Sequence, residues 1–551
     1  MSATPQELLL GPILRRVTDR RATVWVQTAC PATVEVRAGR AGDAARTFTV
    51  FGRHYALVVV DGLEPGTVTP YRVLVDGRES WPRPDPRYPP SVIRTRADGQ
   101  PTRLVFGSCR QATHRVTRRF PPDALDAYAL RLAAGQGSWP DSLILLGDQV
   151  YADETSPGIR RWLRRRRHRR RLDTPPDQVV SFGEYTRLYL ESWTDPEIRW
   201  LMSTVPSVMI FDDHEVIDDW NTSASWRADM SSQSWWAERI AAGLASYWVY
   251  QHLGNLDPDA LAADPVYSAV LGEQDATEVL VDFAAKADAD RAAYRWSYAL
   301  DVGGTRIVVL DTRAGRQLDP GRRAMLPEEQ WRWFADLVGD GTYDHLVVGA
   351  SLPWLLAPAL HHVEAMNERL CDAPWSVVSG AAERLRRGLD LEHWAAFGRS
   401  FEAMAALLGQ LLAQAPTAGE SPATVSVLSG DVHHSYVAHA RLGPVYQVVC
   451  SPVHNQLPRP MRPLVRLAWS HGVAVSMGLL ARLAGTVAPG IRWDLVAGPF
   501  IGNAIGTLVH HGRSGYALIE GTDARGELHG LARLDLPDGN GSGAPATPAR
   551  R

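Results

Sequence analysis

The sequence is poor in cysteine. Four stand in 551 residues, at Cys30, Cys109, Cys371 and Cys450. They are widely separated and form no CxxC pair, which argues against a disulfide framework and against a structural zinc knuckle. Such sparse thiols fit a reducing compartment. Long apolar runs are also lacking. The N-terminal MSATPQELLLGPILRR has a three-Leu run but no basic start before a long apolar stretch, and no twin-Arg ahead of one. With no export signal, a cytoplasmic location is expected. The most apolar late stretch, 473–484, is interrupted by Ser476, Gly478 and Arg482. It falls short of the roughly 20 apolar residues that span a bilayer, so no membrane span is expected and a buried or lid helix is. Charge of one sign is not in excess: the net value is −3, so the chain as a whole is not a polyanion binder. No internal repeat is found.

What is present is the composition of a soluble globular protein, long enough for several units of roughly 150 residues. Residues 1–100 read as a small β-sandwich. RATVWVQT alternates polar and apolar positions as a half-buried strand does, and TVEVRAG, HYALVVVDGL and YRVLVDG follow between Gly, Pro and Asp turns. LEPGTVTPYRVLVDG resembles the turn-then-strand signature of fibronectin type III-like domains. WPRPDPRYPP (81–90) reads as a stiff linker. From 101 to 535 the apolar runs become continuous, as in strands buried on both faces. They are RLVFGSC, SLILLGD, VPSVMIFDDHE, RIVVLDTR, HLVVGASLP and TVSVLSGDVHH, with helical spacing between them. The fold class is therefore α/β. Residues 536–551 read as a disordered low-complexity tail. The arginine-rich run RRWLRRRRHRRR (160–171) is either a solvated helix or loop face or a strip for phosphate-rich ligands. Nucleic acid is not the expected partner, because no nucleic-acid motif accompanies it.

Most of the continuous runs stop at polar residues of metal-ligand type: Cys109, Asp148, Asp212-Asp213-His214, Asp311 and Asp431-Val432-His433. One carboxylate at a strand end is usually a cap or turn former. Five such ends in one chain point to a shared crevice, since strand C-termini in α/β sheets converge on one. Carboxylate suits hard cations, while imidazole, phenolate and thiolate suit transition metals. A mixed set therefore implies two unlike ions, the usual clamp for a phosphoryl group.

FGSCRQ, GDQVYAD, FDDHEV and SGDVHHSY, in that order, resemble the signature blocks of the PhoD-like alkaline phosphatase family, within the calcineurin-like metallophosphoesterases. The resemblance covers about residues 103 to 455. It implies an α/β/β/α two-sheet metallophosphatase core after the sandwich, hydrolysis of phosphate esters by in-line attack of hydroxide, and a Fe(3+) and Ca(2+) pair, with other divalent metals as substitutes. It assigns Asp148 as the bridge between the ions and Cys109, Tyr151 and His433 to the iron. Asp213 and Asp431 go to the harder ion. His214 would serve as proton donor and Asp212 as its orienting partner. Arg110 and Arg313 would grip phosphate oxygens bidentately. Two departures are visible. Ser351 stands where many relatives carry a further His, and the export signal of secreted members is not seen. Two rivals remain: a phosphodiesterase for a nucleotide, lipid or polymer diester, and a non-catalytic, metal-containing polyanion-binding protein. GSCRQ lacks the phosphate-cradling loop of a cysteine nucleophile.

Overall fold

The computed structural model describes residues 8–83, 85–112, 122–170, 173–341, 343–413 and 421–537. The expected tail beyond 536 lies almost wholly outside the described residues, as does the end of the arginine run.

The N-terminal alternating segments pair into two antiparallel sheets. Their strands are Leu8–Val17 (β1), Ala22–Thr28 (β2), Thr33–Ala38 (β3), Ala41–Arg46 (β4), Phe48–Val50 (β5), Arg53–Val60 (β6), Val68–Val75 (β7), Arg78–Trp81 (β8) and Val92–Arg94 (β9). One sheet orders β1-β2-β6-β5 and the other β4-β3-β7-β8, with β9 beside β7. Val24, Val26, Val34, Val36, Val58 and Val73 fill the space between them. The expectation of a half-buried β2 is corrected: every residue of that strand is buried. Its outer face is covered by the core, where Trp25 meets the Tyr250 ring at 5.4 Å. Arg15 bonds Asn255 Oδ1 at 2.9 Å, and Arg199 donates to the Gly11 carbonyl at 2.8 Å. The 81–90 segment is not a free linker either. Tyr88 stacks on Trp200 at 5.4 Å and donates to Glu197.

The core holds two further sheets. The first has Thr102–Gly107 (β10), Ser142–Leu146 (β11), Ser207–Ile210 (β12), Ala504–His511 (β20), Ser514–Thr522 (β21) and Leu528–Leu536 (β22). The second has Tyr298–Val302 (β13), Thr305–Leu310 (β14), His345–Ala350 (β15), Thr424–Ser429 (β16), Ser435–Ala440 (β17), Val445–Val449 (β18) and Trp493–Phe500 (β19). Their orders are β12-β11-β10-β20-β21-β22 and β13-β14-β15-β16-β18-β17-β19. In the first sheet β12, β11 and β10 run parallel and β20, β21 and β22 add on antiparallel, whereas in the second the central β14, β15, β16 and β18 are parallel. Every residue of β14, β15 and β16 is buried, because each face has its own partner. Ile307, Val309, Val347 and Leu428 pack with the first sheet, whereas Val308, Leu310, Leu346, Val348 and Val427 pack on Trp354, Phe401, Met404 and Leu408. Sheet faces sheet, with helices outside, which is the expected α/β/β/α arrangement.

This packing buries three neutral histidines. Burial lowers His252 and His361 to about 3 and His510 to about 2. Unfolded histidine titrates near 6.5. A depressed folded pKa means that the stabilisation is complete above about 6.5 and is lost as pH falls, because only the unfolded chain then takes up protons. Each group is expected to remove about 2 kcal/mol between pH 7 and pH 5. Urea unfolding midpoints at the two pH values check this, and an unchanged midpoint would contradict it.

Candidate metal centre

Strand register determines where the polar ends meet. Gly107 lies opposite Leu145, and Leu146 opposite Ile210. In the second sheet Leu310 lies opposite Ala350, Gly349 opposite Leu428, and Ser429 opposite Val449. The loops that follow carry Cys109, Asp148, Asp212, Asp213, Asp311 and Asp431 to one edge. Two glycines let the loops close on each other. A Cβ on Gly147, whose φ is +105°, would lie 2.6 Å from Asp212 Cβ, and one on Gly430 would fall on the Ser108 side chain. Cys109, Asp148, Asp431 and His433 all adopt left-handed backbone, with φ of 58°, 54°, 63° and 51°. Non-glycine residues rarely do so, and strain of this kind concentrates at functional sites. Four of the six expected ligands share it.

Two overlapping groups of donor atoms can each hold a cation. Asp148, Asp213 and His214 form one; Asp212, Asp213 and Asp431 form the other. Within each, the ligand atoms lie within 4.8 Å of one another. The carboxylate common to both is Asp213, whereas the family resemblance implies Asp148 as the bridge. Cys109, Tyr151 and His433 stand outside these triplets but border them. Cys109 Sγ faces the Asp431 carbonyl at 3.7 Å and is approached by Ser108 and Ser451 hydroxyls at 3.2 and 3.3 Å. The Tyr151 hydroxyl lies 3.5 Å from Asp148 Oδ2 and accepts from Asn455 Nδ2 at 3.1 Å.

The electrostatics fit missing positive charge. Burial, then mutual repulsion among carboxylates, raises Asp148, Asp212 and Asp213. The same causes push Asp218 to about 7 and Asp219 to about 9. Asp148 Oδ1, Asp212 Oδ2 and Asp219 Oδ1 are buried without a hydrogen-bond partner. Orphaned buried oxygens are expensive unless something binds them, and a hard cation is the partner that acidic donors suit. His433 is held neutral, lowered to about 4 by burial, and neutral imidazole is the form that ligates.

Three sequence assignments are corrected. Arg110 does not reach the crevice, because its buried guanidinium bonds Asp123 Oδ2 at 2.8 Å and the Ser192 carbonyl at 3.0 Å. Arg313 sits at the site but is 0% exposed. It is taken up by Asp212 and Glu392, with Asp213 and Asp431 at 3.5 Å, so it neutralises carboxylates instead of gripping phosphate. Asp212 therefore serves Arg313, and His214 is oriented by Asp153, whose Oδ1 meets His214 Nδ1 at 2.9 Å. Asp153 was visible as the last letter of GDQVYAD.

Other contributors were missed. Glu215 accepts from the backbone N–H groups of Asp148, Gln149 and Asp212 at 3.0, 2.7 and 2.9 Å, locking two ligand loops together. His393 spans Glu364 (2.7 Å) and Asp431 (3.0 Å). Burial alone would raise Asp431, but His393 and Arg313 outweigh it and hold this carboxyl well below its usual range. Glu392 and His393 follow no apolar strand, so strand-end reasoning could not find them.

Facing α/β sheets with acid- and histidine-lined strand ends define a hydrolase of the metallophosphatase class, carrying a metal site. The chain belongs to the PhoD-like phosphatase family, which matches residues 119–461. It is a phosphoric ester hydrolase, and its substrate is a phosphate ester. Residues 5–93 match a domain of unknown function, DUF7800. No curated protein matches the sequence. Among solved structures, one of PhoD is 14% identical, with a TM-score of 0.61 over 98% of this chain and 92% of that one, a likeness of fold. A purple acid phosphatase, PPD1, from yellow lupin (Lupinus luteus) seeds is 12% identical, with a TM-score of 0.46 over 96% and 74%.

Proposed function

We propose that the enzyme cleaves its phosphate ester in one in-line displacement by water, at a crevice that takes two unlike cations. The carrying observation is the gathering of Asp148, Asp212, Asp213 and Asp431 at one crevice, with buried carboxylate oxygens there that have no partner. The softer donors Cys109, Tyr151 and His433, with Asp148, suit iron(III), whereas Asp213 and Asp431 suit calcium. When bound, such ions polarise the phosphoryl oxygens and make water more acidic. The protein supplies the proton. Burial disfavours charge on His214, but Asp153, Asp213 and Asp148 outweigh it and raise this imidazole well above its usual value. With Nδ1 held by Asp153, His214 is the group that protonates the departing alkoxide. Without a cation, burial, then Asp148 and Asp431, push the Cys109 thiol well up, which disfavours a free nucleophilic thiolate; with a cation bound, the sulfur would give up its proton and serve as a ligand.

The purified protein, before and after exhaustive chelation, is tested on p-nitrophenyl phosphate and bis-p-nitrophenyl phosphate, with metals counted by elemental mass spectrometry. Hydrolysis is expected to fall at least about a hundredfold on chelation and to return with iron plus calcium. Full activity in metal-free protein would overturn the reading. The ratio of the two rates decides between monoester and diester.

A further inference from the structure

The stretch expected to be a buried or lid helix is exposed. Helix His471–Leu483 follows helix Met461–Ala468 after an 80° bend. Val475, Leu479 and Leu483 recur every fourth residue along the second helix and are 57%, 60% and 77% exposed. Met461, Leu464 and Leu467 form a similar stripe on the first, while Arg462 and Arg466 occupy its other side. From Gln456 to Arg492 there is no Asp or Glu, and five arginines stand at 459, 462, 466, 482 and 492.

We propose that this helix pair docks the enzyme on an anionic lipid bilayer, lying in the headgroup region. Exposed apolar stripes on helices with an all-cationic polar face are what an interfacial helix requires, since the stripe enters the acyl boundary while the arginines meet lipid phosphates. Neither helix is long enough to span on its own, and the 80° bend keeps the two from forming one straight rod. Eight and 13 residues at about 1.5 Å each reach about 12 and 20 Å, against an apolar core of about 30 Å. A second copy fits poorly, because two such faces would set arginine against arginine. The pair also adjoins the crevice. Trp469 packs on Tyr436 at 5.0 Å, and Tyr436 stacks on His434, the neighbour of His433. Docking would bring the metal centre close to the lipid headgroups. The proposal does not depend on the hydrolytic reading.

The test is flotation of the full chain with vesicles of phosphatidylcholine alone or with one third phosphatidylglycerol. The protein is expected to float with the anionic vesicles and to be released by high salt. R459Q/R462Q/R466Q should weaken binding about fivefold per arginine. L479S/L483S should abolish binding while leaving the melting temperature and the hydrolysis of a soluble ester unchanged. No flotation on anionic vesicles would overturn the proposal. So would a wild-type dimer in analytical ultracentrifugation that L479S/L483S dissolves, since a second copy would then cover the face.

Discussion

Asp148→Asn is expected to lower kcat/KM for a phosphate ester at least about a thousandfold, roughly 4 kcal/mol of lost transition-state stabilisation. The same change is expected to stabilise the metal-free protein. Asp148 is 2% exposed, and its Oδ1 has no hydrogen-bond partner. Glu215 bonds the backbone of this loop, not the Asp148 carboxylate, so the loop survives the change. What the substitution removes is a buried carboxylate whose pKa is raised by burial and by Asp212, Asp213 and Glu215, which together outweigh the attraction of His214. Without a cation that charge is a cost, and an isosteric amide relieves about 1–3 kcal/mol of it. Activity and thermal unfolding of the chelated protein are measured side by side. Lost activity with a raised melting temperature marks a carboxylate kept for binding metal. Lost activity with a lowered one would make Asp148 structural and sink its assignment as a ligand.

Arg313→Met is expected to destabilise the metal-free fold by about 3–5 kcal/mol, since it strands buried carboxylates that this guanidinium neutralises. Methionine preserves much of the volume, so the loss reports charge and hydrogen bonding more than packing. Asp212 and Glu392 bond the guanidinium directly, and Asp213 and Asp431 lie within 3.5 Å of it. Adding Glu392→Gln is expected to recover part of the loss, because it removes one of the stranded charges. Chemical denaturation of the single and double variants decides. A single-variant loss below about 1 kcal/mol would show that the acids are neutralised by something other than Arg313.

Both predictions rest on neighbours far apart in sequence, and they mark the division between what the sequence and the fold determine. The continuous apolar runs specify strands buried on both faces, and the residues that end them are the ones that meet at the crevice. That is a local property, readable because a strand between two packed layers must be apolar along its whole length. The order of FGSCRQ, GDQVYAD, FDDHEV and SGDVHHSY was likewise enough to indicate the chemistry. Partner choice was not readable. Arg110 and Arg313 both follow strand ends and look alike as sequence, yet one pairs with Asp123 and the other enters a cluster of acids. Asp153, not Asp212, orients His214, because the turn after Tyr151 brings it to the imidazole while Arg313 claims Asp212. The full burial of β2 and the exposure of 471–483 have the same cause. An apolar stripe says that a face wants cover, and only the arrangement of distant elements decides whether the rest of the chain provides it.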